Sequence, residues 1–167
     1  RNWAKHISTP GPQSYKYTFL DNNLLIGFGD AENTFAVLDH QVPSAPYVTF
    51  GLASINQYGD LNFLIYPTNM SCPGANELAG VGIARHSKLI IDSYKNIIFT
   101  TSGMAESFSI GNNNVSTGDY CSGDENTCLI KLDSSGNVIF MNYITGEYGD
   151  SPSVVVDLND NIYMSGY

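Results

Sequence analysis

Side chains that could bind a cation are concentrated in two short turns near the end of the chain. Residues 133–137 read Asp-Ser-Ser-Gly-Asn, and residues 157–161 read Asp-Leu-Asn-Asp-Asn. Carboxylate and amide oxygens are the ligands that calcium takes. The same residues suit a structural role, because Asp accepts hydrogen bonds from the amides of its own turn while Gly or Asn adopts positive φ. The structural role is favoured, since no Glu follows at EF-hand spacing; the candidate calcium ligands are Asp133, Asp157, Asn159 and Asn161.

The spacing of the cysteines allows one disulfide. Cys121 and Cys128 bracket a short polar loop at 122–127, which is a suitable size for a loop-closing bridge. Exposed free thiols are usually a liability, so we expect a Cys121–Cys128 disulfide, the alternative being two reduced thiols. Cys72 is then a free thiol or bonds to something outside this chain.

Two sequons indicate a location outside the cell. Asn69-Met70-Ser71 and Asn114-Val115-Ser116 match the N-glycosylation pattern and fall in polar stretches. Such triplets also arise by chance in an Asn- and Ser-rich chain. Together with the cysteines, they favour a secreted or cell-surface protein glycosylated at Asn69 and Asn114.

Composition limits the partners. The 167 residues include 7 basic and 16 acidic side chains, a formal net charge of −9. That charge repels nucleic acid and anionic membranes. No apolar stretch approaches the roughly 18 residues of a membrane-spanning helix, so no membrane insertion is expected. Since the chain begins at Arg1 without an apolar leader, we expect either a processed secreted protein or part of a longer polypeptide.

Short apolar runs separated by polar turns predict an almost entirely β chain. Strands are expected on both sides of the turns at 21–23, 56–60, 92–96, 133–137 and 157–161. No segment keeps the apolar spacing of an amphipathic helix, so little helix is expected. The segments 67–86 and 105–127 interrupt this pattern and are interpreted as insertions.

The hairpins form an internal repeat. Asp21, Asp92 and Asp157 each follow an apolar run and precede a polar turn and a strand, at separations of 71 and 65 residues. A second hairpin type, with Gly at its turn, occurs at 53–66 and 130–143, and Trp3 aligns with the strands that follow Gly59 and Gly136. Residues 128–167 are interpreted as one complete unit, a Gly hairpin followed by an Asp hairpin, and the chain as one domain of about two and a half units. Nearly continuous apolar strands at 97–99 and 138–144 predict that both of their faces are covered, as in stacked blades.

The stretch KLDSSGNVIFMNYITGEYGDSPSVVVDLNDNIYMSGY resembles the SBBP-type β-propeller repeat and, more loosely, the NHL repeat. The match is good over 128–167, fair over 53–103 and weaker over 3–29. The resemblance implies a partial β-propeller of repeated four-stranded antiparallel blades. Because a propeller ring takes typically four to eight blades, it also implies a fragment of a longer chain, or a ring completed by other chains.

No catalytic or cofactor-binding motif is present: there is no P-loop, nucleophile elbow or haem-attachment sequence. We therefore expect a non-catalytic extracellular binding or structural module whose partners are other protein chains or further blades. Glycans are a further possible partner, because exposed tyrosines can stack on sugars; the candidates are Tyr15, Tyr17, Tyr47, Tyr58, Tyr120 and Tyr148. The alternatives are part of a carbohydrate-active hydrolase or lyase, and a filament subunit assembled by strand pairing.

Overall fold

The structure is a computed structural model that describes residues 7–8, 13–30, 36–41, 49–71, 81–83, 88–103, 105–116, 126–144 and 153–165. Within these ranges the chain is all β, as predicted, with antiparallel pairing throughout and no helix. The strands are β1 (Ile7–Ser8), β2 (Gln13–Leu20), β3 (Asn23–Asp30), β4 (Ala36–Val37), β5 (His40–Gln41), β6 (Thr49–Ile55), β7 (Leu61–Ile65), β8 (Thr68–Ser71), β9 (Val81–Ile83), β10 (Ile90–Ile91), β11 (Ile97–Gly103), β12 (Ser107–Ile110), β13 (Asn113–Ser116), β14 (Asn126–Leu132), β15 (Val138–Ile144), β16 (Ser153–Val156) and β17 (Ile162–Ser165).

Three sheets carry the repeated hairpins. Sheet I has the strand order β2-β3-β6-β7, and sheet II has the order β10-β11-β14-β15, with β9 also paired to β11. Sheet III consists of β16 and β17. Sheets I and II are therefore both four-stranded meanders, each made of an Asp hairpin followed by a Gly hairpin.

This pairing corrects the predicted repeat unit. Residues 128–167 do not form one unit, because β14 and β15 belong to sheet II whereas β16 and β17 form sheet III. The decisive contact is the pairing of β11 with β14, which runs in register from Ile97↔Leu132 to Gly103↔Asn126. The sequence identified the two hairpin types correctly. It did not show which Asp hairpin each Gly hairpin joins, because that pairing spans the segment between β11 and β14.

Two small sheets add a feature that the sequence reading missed. Strands β1, β4 and β5 form cap sheet I, and β8, β12 and β13 form cap sheet II. In both, a hairpin inserted between the second and third strands of a large sheet pairs with the strand that precedes that sheet. In each hairpin the first residue of the turn has positive φ: Leu38 (57°) in cap sheet I and Gly111 (58°) in cap sheet II. The segments 67–86 and 105–127 thus contain regular strands, and β1–β7 are repeated by β8 and β10–β15.

The large sheets are stacked face to face. We call the face of each sheet that points toward the next sheet its rear face, and the opposite face its front. One apolar core joins the rear of sheet I, including Leu25 and Phe50, to the front of sheet II, including Phe99 and Ile130. A second joins the rear of sheet II to sheet III through Ile98, Leu129 and Val154. Burial of each such aliphatic or aromatic side chain contributes about 1.5–3 kcal/mol.

Coverage of the strands follows from this stacking. Ile97, Ile98 and Phe99 on the central strand β11 are at most 1% exposed, so the prediction that both faces are covered is confirmed there. It is wrong for parts of β15, where Ile139 and Ile144 are 50% and 44% exposed. β15 is the edge strand of sheet II, and Ile139 lies at the register shift between the partner residues Lys131 and Leu132.

Candidate functional site

The polar turns all lie at one end of the stack. In a four-stranded meander, the turn between strands one and two and the turn between strands three and four are at the same end, and the insertion between strands two and three is at the opposite end. The predicted ligand residues are therefore at the turn end, and the cap-sheet hairpins are at the other end. Two separate surfaces could carry function.

Asp133 shows what the Asp does in its turn. Its Oδ1 accepts hydrogen bonds from the backbone N–H of Ser135 (2.8 Å) and Asn137 (2.9 Å). Its Oδ2 accepts one from Asn137 Nδ2 (2.9 Å). The backbone N–H groups of Asp133 and Gly136 close the turn by donating to the carbonyls of Asn137 and Asp133. Both carboxylate oxygens thus hold the turn together.

The same arrangement is repeated in three other turns. Asn56, Asp92 and Asp157 each accept hydrogen bonds at Oδ1 from the backbone N–H groups two and four residues later, at 2.8–3.0 Å. Asn96 and Asn161 donate from Nδ2 to the second carboxylate oxygen of Asp92 and Asp157 at 2.9 Å. The structural role expected of these residues is therefore observed directly.

The fourth residue of each turn has positive φ, which explains the residue types found there. It is Gly59 (89°), Lys95 (67°), Gly136 (88°) or Asp160 (62°). Gly adopts this conformation without steric cost, whereas Lys and Asp are strained there. Gly136 also lies against the ring of Phe63 in sheet I, and a Cβ added to it would be 2.8 Å from Phe63 Cγ.

Neighbouring sheets also make contact through their turns. Lys95 Nζ lies 2.9 Å from Asp21 Oδ2, an ion pair between sheets II and I in which both side chains are 58% exposed. Asp160 of sheet III accepts hydrogen bonds from the backbone N–H (2.8 Å) and the hydroxyl of Ser93 in sheet II. In both contacts the side chain of the fourth turn residue, which has positive φ, contacts the Asp hairpin of the preceding sheet.

Asp92 has a second role inside sheet II. Its carboxylate is buried, and Lys131 Nζ lies 2.8 Å from Oδ2. Burial opposes ionisation, but hydrogen bonds from Lys131 and Asn96 and the charge of Lys131 hold the pKa of Asp92 below its ordinary value. Sequence reasoning missed this pair because it joins the Asp hairpin to the Gly hairpin, and their pairing was not predicted.

Two more of the carboxylates that open a turn, those of Asp133 and Asp157, are also held in the charged form. Hydrogen bonds from Asn137, above all from its side chain, lower the pKa of Asp133. The corresponding bonds from Asn161 lower the pKa of Asp157. Tyr163 donates its hydroxyl proton to Asp157 Oδ2 at 3.1 Å, and this bond raises the pKa of Tyr163.

The structure separates the four predicted calcium ligands. Asp133 lies in the Gly hairpin of sheet II, whereas Asp157, Asn159 and Asn161 lie in the turn of sheet III. Asn159 contributes its backbone N–H to Asp157. Within the part of the chain that the structure describes, no group of three or more His, Cys, Asp or Glu side chains is arranged to hold a metal. Calcium binding stays a prediction; the carboxylate oxygens of Asp133 and Asp157 accept hydrogen bonds from amides and, at Asp157, also from the Tyr163 hydroxyl.

The predicted disulfide is only half covered by the structure. Cys128 is a buried free thiol on β14, and burial raises its pKa to about 12. Cys121 and Cys72 lie outside the described residues. The bridge therefore stays a prediction.

The two sequons lie on the same small sheet. Asn69 is on β8 and Asn114 is on β13, the two outer strands of cap sheet II, and both side chains are exposed. The sequon serines Ser71 and Ser116 are both in register with Ser107 on the central strand β12. Exposure makes both asparagines accessible to modification, and glycosylation stays a prediction.

Only two of the tyrosines proposed to contact sugars have side chains that the structure describes. Tyr17 is exposed on a strand of sheet I, and Tyr58 is exposed in a turn. Tyr47, Tyr120 and Tyr148 lie outside the described ranges, as does the side chain of Tyr15. Tyr94, which the sequence reading did not single out, is exposed at the turn end of sheet II.

Comparison of the chain with protein-family models, curated proteins and solved structures finds no match. No helix in the described ranges is long and apolar enough to cross a membrane.

Proposed function

We propose that this chain is part of a β-propeller that serves as a non-catalytic binding or structural module at the cell surface or outside the cell. The observation that carries the proposal is the repeat of β1–β7 in β8 and β10–β15, stacked rear face to front face. Radial stacking of four-stranded sheets is how propellers protect their strands. Further sheets of the same repeat pattern are the proposed means of completing the ring.

The role of the turn residues supports a scaffold over an enzyme. The Asp side chains of the repeat accept hydrogen bonds from their own turns, and Asp92 also pairs with Lys131. These contacts stabilise the folded chain and use the carboxylate oxygens that a general acid, a base or a metal site would need. Ligand recognition is assigned to the opposite end of the stack, where the cap-sheet hairpins vary in length between repeats.

A paired assay tests this proposal on secreted protein. Binding to a panel of polysaccharides and extracellular proteins is measured alongside release of reducing sugar ends and of unsaturated lyase products. The scaffold proposal predicts binding without turnover. Turnover that is lost in Glu147→Gln or Asp150→Asn, the carboxylate pair in the link between β15 and β16, would establish the hydrolase or lyase alternative instead.

The propeller assignment has its own test. An experimentally determined structure of the native polypeptide is expected to show sheets I, II and III arranged around a common axis. Sheets I and II forming the two halves of a closed sandwich would contradict it.

A further inference from the structure

The carboxylate of Asp92 lies between an amine and an amide. Lys131 Nζ is 2.8 Å from its Oδ2, and Asn96 Nδ2 donates a hydrogen bond to the same oxygen at 2.9 Å. The Asp92 side chain is fully buried, that of Lys131 is 14% exposed, and Asn96 is half-buried. A nucleophilic amine and the nitrogen of an amide therefore contact one oxygen atom that can move protons between them. We call these three residues the sheet II triad.

Apolar side chains flank the lysine of the triad. Lys131 is opposite Ile98 on β11 and opposite Phe140 on β15. Residues directly opposite on paired strands share a face, and both of these partners contribute to the core between sheets II and III. In such surroundings burial disfavours charged groups. Transfer of one proton from Nζ to Oδ2 of Asp92 gives a neutral acid and the free amine that nucleophilic attack requires.

The structure of the turn alone does not account for Lys131. In sheet III, Asn161 makes the same side-chain hydrogen bond to Asp157 Oδ2 at 2.9 Å, and the hydroxyl of Tyr163 also donates to that oxygen. In sheet I the position on the third strand that corresponds to Lys131 is occupied by Ser54. The turn of sheet III thus forms with a neutral donor in place of a lysine amine, and the triad is a combination that sheet II adds to it.

We propose that Lys131 and Asn96 become joined by an amide bond between Nζ and Cγ, with Asp92 as the catalytic acid and base. Asp92 first takes a proton from the Lys131 ammonium group, and the free amine attacks Asn96 Cγ. Asp92 then donates that proton to Nδ2, and the bond between Cγ and Nδ2 breaks. The released ammonia takes up a second proton from Nζ by way of Asp92 and departs as ammonium. The products in the chain are a secondary amide and the original carboxylate, and no oxidant, reductant or outside substrate takes part.

The arrangement in the structure is the state before this reaction. Nζ has to leave Oδ2 and approach Asn96 Cγ to roughly 3–3.5 Å. The stem of lysine is flexible, and Cγ is bonded directly to the nitrogen that already contacts Oδ2. Burial opposes ionisation of Asp92, but hydrogen bonds from Lys131 and Asn96 hold its pKa below the ordinary value, so the neutral pair is a minor species. The bond is therefore expected to form slowly after folding.

The bond fastens the Asp hairpin of sheet II to its Gly hairpin. It encloses residues 97–130, which include β11 and the hairpin of cap sheet II. Closing a loop of this kind restricts the unfolded chain, as a disulfide does, and an amide also withstands reducing agents. Such a cross-link suits a structural module outside the cell. It does not depend on that proposed function, because all the reacting groups belong to one sheet of one chain.

Mass spectrometry of the purified chain tests the proposal. The chain is produced in a host without N-glycosylation, kept folded at neutral pH for several days and reduced before measurement. Wild type should lose the mass of one ammonia molecule over this time, and digestion should yield peptides linked through Lys131 and Asn96. Lys131→Arg keeps a charge beside Asp92 but has no amine that gives up its proton, so it should keep its full mass. Asn161→Ala is the matched control, because it removes the same kind of amide from the turn of sheet III and should react like wild type.

The catalytic role of Asp92 has its own readout. Asp92→Ala should slow bond formation about 100-fold or more, with circular dichroism showing that this variant is folded. In wild type the rate should be constant near neutral pH, because the ion pair and the reactive neutral pair hold the same number of protons. It should fall in acid as Asp92 becomes protonated, and this pH dependence decides the matter if Asp92→Ala does not fold.

Several results would overturn the proposal. One is a wild type that keeps its full mass throughout the incubation. Another is loss of ammonia without a linked peptide, which indicates a cyclic imide at an asparagine, or the same loss in Lys131→Arg. A link from Lys131 to Asp92 with loss of water would assign the wrong partner to the lysine. A rate that is unchanged in Asp92→Ala, or in acid, would show that Asp92 is not the catalyst.

Discussion

Gly136 offers a direct test of how sheet II packs against sheet I. It has a φ of +88°, and a Cβ at this position would lie 2.8 Å from Cγ and 2.9 Å from Cδ2 of Phe63. Real Cβ atoms do not approach an aromatic ring so closely, so Gly136→Ala must displace the ring or the turn. Gly111→Ala is the matched control, because Gly111 also has positive φ but has no atom within 4 Å of the added Cβ.

The two substitutions differ in expected magnitude. The positive φ alone costs about 1–2 kcal/mol for an L-residue, which is the whole cost predicted for Gly111→Ala. Overpacking against Phe63 adds about 1–3 kcal/mol to Gly136→Ala. The free energy of unfolding should therefore fall by about 2–5 kcal/mol in Gly136→Ala. With urea m-values of about 1–3 kcal/mol/M, its unfolding midpoint should fall by about 0.7 M or more.

Urea denaturation followed by circular dichroism measures both variants. A double-mutant cycle with Phe63→Ala isolates the contact, since removing the ring should relieve at least about 1 kcal/mol of the cost of Gly136→Ala. If Gly136→Ala and Gly111→Ala are equally destabilised and the cycle shows no coupling, Phe63 does not pack on this turn. The assigned stacking of sheets I and II would then be refuted.

Four further predictions concern the ion pairs of Asp92 and Lys95, the buried thiol and the two sequons. The lowered pKa of Asp92 contributes stability that is fully present above the unfolded pKa near 3.9 and is lost as the pH falls through the lower folded pKa. Asp92→Asn leaves Lys131 unpaired, so its free energy of unfolding at pH 7 should be about 3 kcal/mol lower than that of wild type. Its free energy of unfolding should also fall less steeply as the pH is lowered into the acid range. An unchanged acid limb in urea titrations would contradict this. Lys95→Gly should raise the free energy of unfolding by about 0.5–1 kcal/mol, because relief at φ +67° exceeds the loss of an exposed ion pair; a loss of stability would mean that the Asp21 contact matters more. In reduced protein the buried Cys128 thiol, with its pKa raised to about 12, should react with iodoacetamide only as fast as the protein unfolds, and rapid labelling of the peptide that contains Cys128, detected by mass spectrometry, would show that this thiol is accessible. In a secretory host, Asn69→Gln and Asn114→Gln should each remove one glycan mass, and a wild type of unmodified mass would rule out both sites.

The sequence predicted the local structure well because turn chemistry is local. Asp133 and Gly136 identify their turn without reference to the rest of the chain, since a carboxylate two to four residues from backbone amides can bond only within a tight turn. The strands on either side followed from their apolar content. The same locality explains why the turn hydrogen bonds of Asp133 and Asp157 could be predicted from the sequence.

Which hairpins pair with one another could not be predicted from local turn chemistry. The hairpins β14–β15 and β16–β17 are consecutive in sequence. The hairpin that joins β14–β15 in one sheet is nevertheless the earlier one, because β14 pairs with β11. Nothing in the residues of β15 or β16 excludes their pairing, because both are short apolar strands. The choice is made by long-range packing, in which Ile98 and Leu129 bury their side chains together against Val154.

The cap sheets were missed for a related reason. Ser107–Ile110 and Asn113–Ser116 flank a Gly-Asn turn, a pattern that does indicate a two-residue hairpin. The corresponding hairpin at Ala36–Val37 and His40–Gln41 is much shorter and turns at Leu38, an unusual residue for positive φ. The strand that completes each cap sheet, β1 or β8, is distant in sequence from the hairpin that it pairs with. The buried Asp92–Lys131 pair was hidden in the same way.

The central claim is that the hairpin β16–β17 stacks on sheet II as a separate sheet and does not pair with β15. Nuclear Overhauser effects in the methyl-labelled protein test it most directly. Stacking predicts contacts between the methyl groups of Val154 and Ile98, which lie in one core although they are 56 residues apart in sequence. Cross-strand contacts between the backbones of β15 and β16, with none between Val154 and Ile98, would contradict it.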